Sequence, residues 1–197
     1  MAADELGTRL RQARQSRSLS LRSVAQSLGV SPSLISQVET GKSQPSVATL
    51  YALANLLEVS ADDLLGMDSN NSRDTSATVA RFDVQRAGEG PVIEMENGVR
   101  WERLAMAQGG GVEALLVTYE PGASSSIDGR LMRHAGVEYG YMLEGVLTLQ
   151  LDFDTYELSP GDSLHFESSR PHMLANRGAV TARGVWFVVG RHEGASA

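Results

Sequence analysis

The 197-residue chain contains no cysteine. Disulfide frameworks, thiolate metal sites and cysteine nucleophiles are therefore excluded. It also lacks any long hydrophobic run. Its longest apolar stretches, such as 185–189, fall far short of the ~20 residues that a membrane-spanning helix needs. Asp4 and Glu5 stand where a secretory signal would begin its apolar core. These absences lead us to expect a cytoplasmic protein. An excess of positive charge is missing too, with a net charge of −7. That balance argues against a polyanionic partner only until it is divided along the chain. Residues 1–66 hold six basic and six acidic side chains, and residues 67–197 hold eleven and eighteen. The acidity belongs wholly to the second part. In the first part Arg9, Arg11, Arg14 and Arg17 crowd together, so a balanced segment can still present a positive face.

What is present reads as two textures. The first third carries apolar residues at helical spacing. Leu6, Leu10 and Ala13 form one stripe; Leu21, Val24, Ala25 and Leu28 a second; Leu34, Ile35 and Val38 a third; Val47, Leu50, Tyr51, Ala54 and Leu57 a fourth. Ser20, Ser31 (followed by Pro32) and Ser46 stand at N-cap positions. Ser60 with Asp63 predicts a capping box for a last helix through Leu65. Gly29 and Gly41 end the second and third helices. Five helices are expected. Residues 67–76, MDSNNSRDTS, are polar and aperiodic and predict a linker. Short β-rich runs follow at 78–84, 112–119, 139–153, 163–166 and 180–189, separated by glycine and proline. Such punctuation predicts a β-sandwich or barrel. Residues beyond 191 read as a tail.

The segment LSLRSVAQSLGVSPSLISQVETGKSQPS, residues 19–46, carries the chemistry of the first part. Ala25 is small where two helices cross, Gly29 suits a tight turn, and Ile35 and Val38 anchor the following helix. The opposite face of that helix holds Ser33, Ser36, Gln37 and Thr40, a stripe of short polar side chains. Hydroxyls and an amide of this length reach base edges in a major groove, and Gln37 suits adenine. Helix N-termini and Lys42 suit phosphates. Residues 6–65 resemble the helix-turn-helix domain of the xenobiotic-response-element type, shared with lambdoid phage repressors. The resemblance carries DNA contacts to Ser31, Ser33, Gln37 and Lys42, and an internal ion pair to Arg14 and Glu39. Pro32 departs from the polar reader common in relatives. Ser20, Arg22, Ser36 and Thr40 complete the candidate DNA-binding set.

In the second part, RLMRHAGVEYGYMLEGVLTLQL (130–151) and LSPGDSLHFESSRPHMLAN (158–176) hold His134, Glu138 and His172. Two imidazoles and a carboxylate suit a divalent transition metal such as Fe, Mn, Ni or Zn. These segments resemble the two motifs of cupins, small jelly-roll barrels: His134, Glu138, Gly140 and Gly145 fit the first, and Pro160, Gly161, His172 and Asn176 the second. The resemblance implies a metal ligand two residues before His134, where this chain has Met132, so three of four expected ligands are present. Arg130, Met132 and His134 share one strand face, which makes Arg130 and Met132 candidate pocket residues together with Met142. His165 is expected to face outward.

The expected architecture is α+β with two domains: an all-α, lambda-repressor-like head (1–66), a linker (67–76), an all-β cupin barrel (77–191) and a tail (192–197). The expected function is a transcriptional regulator, more a repressor than an activator. It would be a homodimer on double-stranded operator DNA, answering a small-molecule effector held in the barrel, with no membrane partner and no catalysis. The alternative is a metal-dependent cupin enzyme, a dioxygenase or isomerase, with a DNA-binding head.

Overall fold

The computed structural model describes residues 2–59, 64, 84–105 and 111–190. Among the described residues, four helices come first: α1 (Ala2–Ser16), α2 (Leu21–Leu28), α3 (Pro32–Glu39) and α4 (Val47–Leu57). Their starts are those that the serines imply. Ser20, Ser31 and Ser46 each accept a hydrogen bond from the backbone N–H three residues on, and Ser20 and Ser23 make a reciprocal capping box. Gly29 closes α2 in the left-handed conformation at φ 68°. The fifth helix expected over 60–65 lies outside the described residues except for Leu64, which is helical and buried. The expected linker, the run 78–83 and the tail also lie outside them.

Helix α1 meets α3 at unusually short range. A Cβ on Gly7 would lie 2.5 Å from the Val38 carbonyl oxygen and 2.8 Å from that of Glu39. Backbone cannot step aside for it. Alanine normally favours a helix over glycine by about 1 kcal/mol, but here the sign should reverse. Gly7→Ala is expected to destabilise the head by about 1–3 kcal/mol through overpacking, measured by chemical denaturation. An unchanged or raised midpoint would contradict the contact. The same two helices are clamped by Arg14 and Glu39. The guanidinium binds the carboxylate through both Nε and Nη2, the latter at 2.8 Å, and Nη1 donates to the Leu19 carbonyl at 2.9 Å.

Among the described residues, the β domain has two antiparallel sheets. One contains, in spatial order, β1 (Val92–Glu94), β2 (Val99–Arg103), β3 (Val112–Tyr119), β9 (Ala182–Val189), β4 (Val137–Glu144) and β7 (Ser163–Glu167). The other orders β6 (Asp154–Leu158), β5 (Leu147–Leu151) and β8 (His172–Ala175). The run 139–153, expected as one element, is two strands, because Gly145 turns the chain at φ 68° against the Thr181 carbonyl. Strands β1, β2, β6 and β8 were not expected. β8 is buried throughout and β6 exposed over most of its length, so neither shows the two-residue alternation that marks a half-buried strand.

The head sits directly on the barrel. Ala48 N–H donates to the Ser125 carbonyl at 2.9 Å, Glu96 N–H to that of Pro45 at 3.1 Å, and Asn55 Nδ2 to that of Arg133 at 3.3 Å. Arg130 Nη1 reaches the Leu28 carbonyl at the end of α2, 3.2 Å away. One apolar core runs through both domains. Helix α4 serves both halves of it: Leu50, Leu53, Ala54 and Leu57 are buried in the head, while Val47 and Tyr51 enter the mouth of the barrel. No described helix is long and apolar enough to cross a membrane.

Candidate functional site

Two sites follow from this arrangement. The first is the outer face of α3. Ser33, Gln37, Thr40 and Lys42 are exposed and Ser36 is half-buried, with Ile35 and Val38 turned into the head core. Ser31 and Ser20 are exposed at the helix starts, and their hydroxyls are engaged as caps. Thr40 Oγ1 is tied back to the Ser36 carbonyl at 2.8 Å. Arg22 is exposed on α2. Docking of the head on the barrel uses α4, Pro45 before it, the end of α2 and the contact of α1 with β1, and it leaves Ser33, Gln37 and Lys42 exposed.

The second site lies inside the barrel. His134 and His172 face Glu138 Oε1 through their Nε2 atoms, at 2.8 and 3.1 Å. All three side chains are buried, and their ligand atoms lie within 4.8 Å of one another. The Nδ1 atoms contact the carbonyl oxygens of Ala135 (3.1 Å) and Arg170 (2.8 Å). A carbonyl only accepts, so each Nδ1 carries a proton and each Nε2 points inward. Trp186 Nε1 donates to Glu138 Oε2 at 2.8 Å and fixes the carboxylate plane. Burial pushes the Glu138 carboxyl up, but imidazoles protonated at Nε2 as well as Nδ1 hydrogen-bond to it and lend it positive charge, which holds the group well below the usual carboxylate range; loss of the Nε2 protons leaves inward-facing acceptors in their place. Oriented imidazoles around an ionised carboxylate form a donor set that fits a divalent transition metal. Met132 is buried at the position of the missing ligand, its backbone paired with His172.

The motif glycines and asparagine shape this site without entering it. A Cβ on Gly140 would meet the Trp186 ring at 2.7 Å, so the glycine makes room for the indole that holds Glu138. Asn176 Nδ2 donates to the carbonyls of Tyr119 and Val180, both at 2.8 Å, and pins two loops.

Residues 5–65 match the helix-turn-helix domain family and residues 115–188 the cupin domain family. The chain is 34% identical over 64 residues to the HTH-type transcriptional regulator YazB of Bacillus subtilis, covering 93% of that protein and 32% of this one. The chain belongs to the HTH-type transcriptional regulators. Over nearly its whole length this regulator is also similar to the HTH-type transcriptional regulator PuuR of Escherichia coli, at 27% identity across 94% of this chain and 93% of that one. Its fold is shared with an HTH_3 family transcriptional regulator from Vibrio cholerae, with a TM-score of 0.64 and 24% identity over 96% of this chain and 97% of that one. The regulator is thus a DNA-binding protein with a cupin domain joined to its reading head.

Within the regulator, His134, Glu138 and His172 come together as their sequence order implied, and Met132 lies on the cavity wall beside them. Arg130 does not enter the barrel. It is exposed, pairs with Asp128 at 2.8 Å and reaches for α2. Met142 is buried against Gly184 and is not among the residues lining the cavity beside Glu138. His165 is exposed, stacked beside Tyr139. Sequence reasoning missed two residues. Trp186 orients Glu138. Tyr51 stacks on the His134 ring with centroids 4.2 Å apart and lies 5.9 Å from Trp101. Tyr51 belongs to the helical stripe of the head, and nothing in that periodicity separates a residue facing its own core from one facing another domain.

Proposed function

We propose that this regulator is an operator-binding repressor that works as a homodimer and responds to a small molecule taken up by its barrel. The observation that carries the reading is the α3 face: Ser33, Gln37 and Lys42 stay exposed while the head is docked. Gln37 and Ser33 meet base edges, and Lys42 with the capped N-termini of α2 and α3 holds phosphates. Ser20 and Ser31 act through those caps, Arg22 by charge, and Ser36 and Thr40 at the margin of the contact.

Two-fold symmetry is what a palindromic operator requires, with half-sites about 34–36 Å apart. An exposed apolar stripe, Tyr139, Tyr141 and Leu143 on β4 with Phe187 on β9, beside the edge strand β7, suits a second copy of the chain. His134, Glu138 and His172 would hold a divalent transition metal, which would supply a Lewis-acidic centre for a donor atom of the effector. A sensor fits better than an enzyme. Among the described residues lining the inner cavity, Glu138 alone carries charge, and it is committed to the two imidazoles.

Selection of duplexes from a random pool by the purified chain, with its mass measured in solution, tests this. An enriched inverted repeat bound by a dimer is the expected result. A pool that shows no enrichment after repeated rounds overturns the operator reading.

A further inference from the structure

Two cavities meet at Tyr51. The inner one, beside Glu138, has a volume of about 20 Å³ and is lined by Val47, Trp101, Val117, Leu174 and Val188 among others. The outer one, about 590 Å³, lies between head and barrel, with Leu28 and Leu34 on one side and Arg130 and Arg133 on the other. Tyr51 and Met132 belong to the walls of both. They form the partition between an open cleft and the buried His134, Glu138 and His172.

The sizes decide what passes. A single water needs roughly 10–15 Å³ of such space, whereas sites for organic ligands run to roughly 300–1,000 Å³. The inner chamber accepts a water and nothing larger while Tyr51 is in place. The outer cleft has the volume for an organic molecule but is walled off from the imidazoles. The Tyr51 ring, stacked on His134, fills the space that joins the cleft to them.

Tyr51 is not a barrel residue that swings aside alone. On α4 it stands between Ala48 and Asn55, whose bonds to Ser125 and Arg133 hold the head down. A rigid helix carries all three, so withdrawing the ring strains the bonds on either side of it.

We propose that Tyr51, borne by the DNA-reading head, is the gate of the barrel site, and that an effector reaching His134 and His172 takes its place and releases the head. The effector's entering part is a flat, weakly polar ring, since it inherits a slot stacked on one imidazole and bordered by Trp101. The docked head is the effector-free state. The inference rests on the sensor reading above and adds how that sensor moves the head.

An effector can be mimicked from inside the barrel. The chain has no native cysteine, so Gln12→Cys and Glu157→Cys, both at exposed positions, accept spin labels that report the head-to-barrel distance in the full chain. Val117→Trp adds an indole to the inner chamber. The expected result is a narrow distance distribution in the parent and a broad, longer one in Val117→Trp. A folded Val117→Trp protein that keeps the narrow distribution overturns the gate. If that variant does not fold, Tyr51→Ala with p-cresol as the probe decides. The phenol ring should bind the variant at least about tenfold more tightly than the parent, and equal or absent binding overturns the proposal. Neither measurement uses an effector. A metabolite screen that finds none would count against the sensor reading, and with it the effector's part in the proposal, whereas the two measurements above report separately whether Tyr51 couples the chamber to the head.

Discussion

Protein carrying His172→Ala should take up no transition metal under conditions in which the parent chain, purified without a metal-affinity tag and given Zn²⁺ or Ni²⁺, holds about one ion. The expectation follows from the geometry around Glu138. Each imidazole is locked with its Nε2 inward by the contact that Nδ1 makes to a main-chain carbonyl, so the donors are arranged before any ion arrives. Removing one leaves a single imidazole and a carboxylate beside Met132, whose thioether is a poor ligand for the harder divalent ions. Elemental analysis reads the result directly. Trp186→Phe offers a graded companion. It leaves the three donors in place but deletes the hydrogen bond to Glu138 Oε2, and loss of such an orienting partner weakens metal binding about 10- to 100-fold. Metal retained by His172→Ala, or absent from the parent at saturating supply, would remove the metal from the account.

Gln37→Ala should weaken binding to the selected operator about 10- to 100-fold, in line with about 1–3 kcal/mol for one base-reading amide. Binding to unrelated duplex should stay as it was. Lys42→Ala should behave differently, lowering affinity for both duplexes and reducing the slope of log K against log salt by about one. The contrast matters more than either loss. Gln37 is exposed in the middle of α3, so its removal leaves the head core untouched and folding is not at issue. Equal losses on specific and unrelated DNA would show that Gln37 holds the backbone and does not read bases.

The head was legible because helix punctuation is local. Ser20, Ser31 and Ser46 act within three residues of themselves, and Gly29 supplies a left-handed angle that the chain needs at one point. The Arg14–Glu39 clamp came from the family resemblance and not from spacing. The barrel was legible only where alternation or motif survived. β3 stands at the residues expected for it, and His134, Glu138 and His172 converge as their motifs implied. The short strands β1 and β2 had no signal of comparable strength. Arg130 was not legible because a shared strand face with Met132 and His134 does not say whether that face is the interior, and the arginine points out toward the head. The segment around it lies outside any long strand and turns toward the head. Tyr51 shows the general difficulty. Sequence periodicity says that a residue is buried, but not in whose company.

The continuous core across α4 has a consequence for inheritance. A head of this kind cannot be exchanged between relatives as a free cartridge cut at the segment after Leu64. Val47, Ala48, Tyr51 and Asn55 are complementary to the barrel beneath them, so a grafted head with a foreign α4 would bring its own DNA specificity and leave the barrel mouth badly closed. A working chimera would need the recipient's four contact residues written onto the donor's fourth helix. Over evolutionary time Tyr51 should change in step with Trp101 and His134, whose rings it meets, even while α3 drifts toward new operators; the bonds of Ala48 and Asn55 end on main-chain carbonyls and set no such constraint.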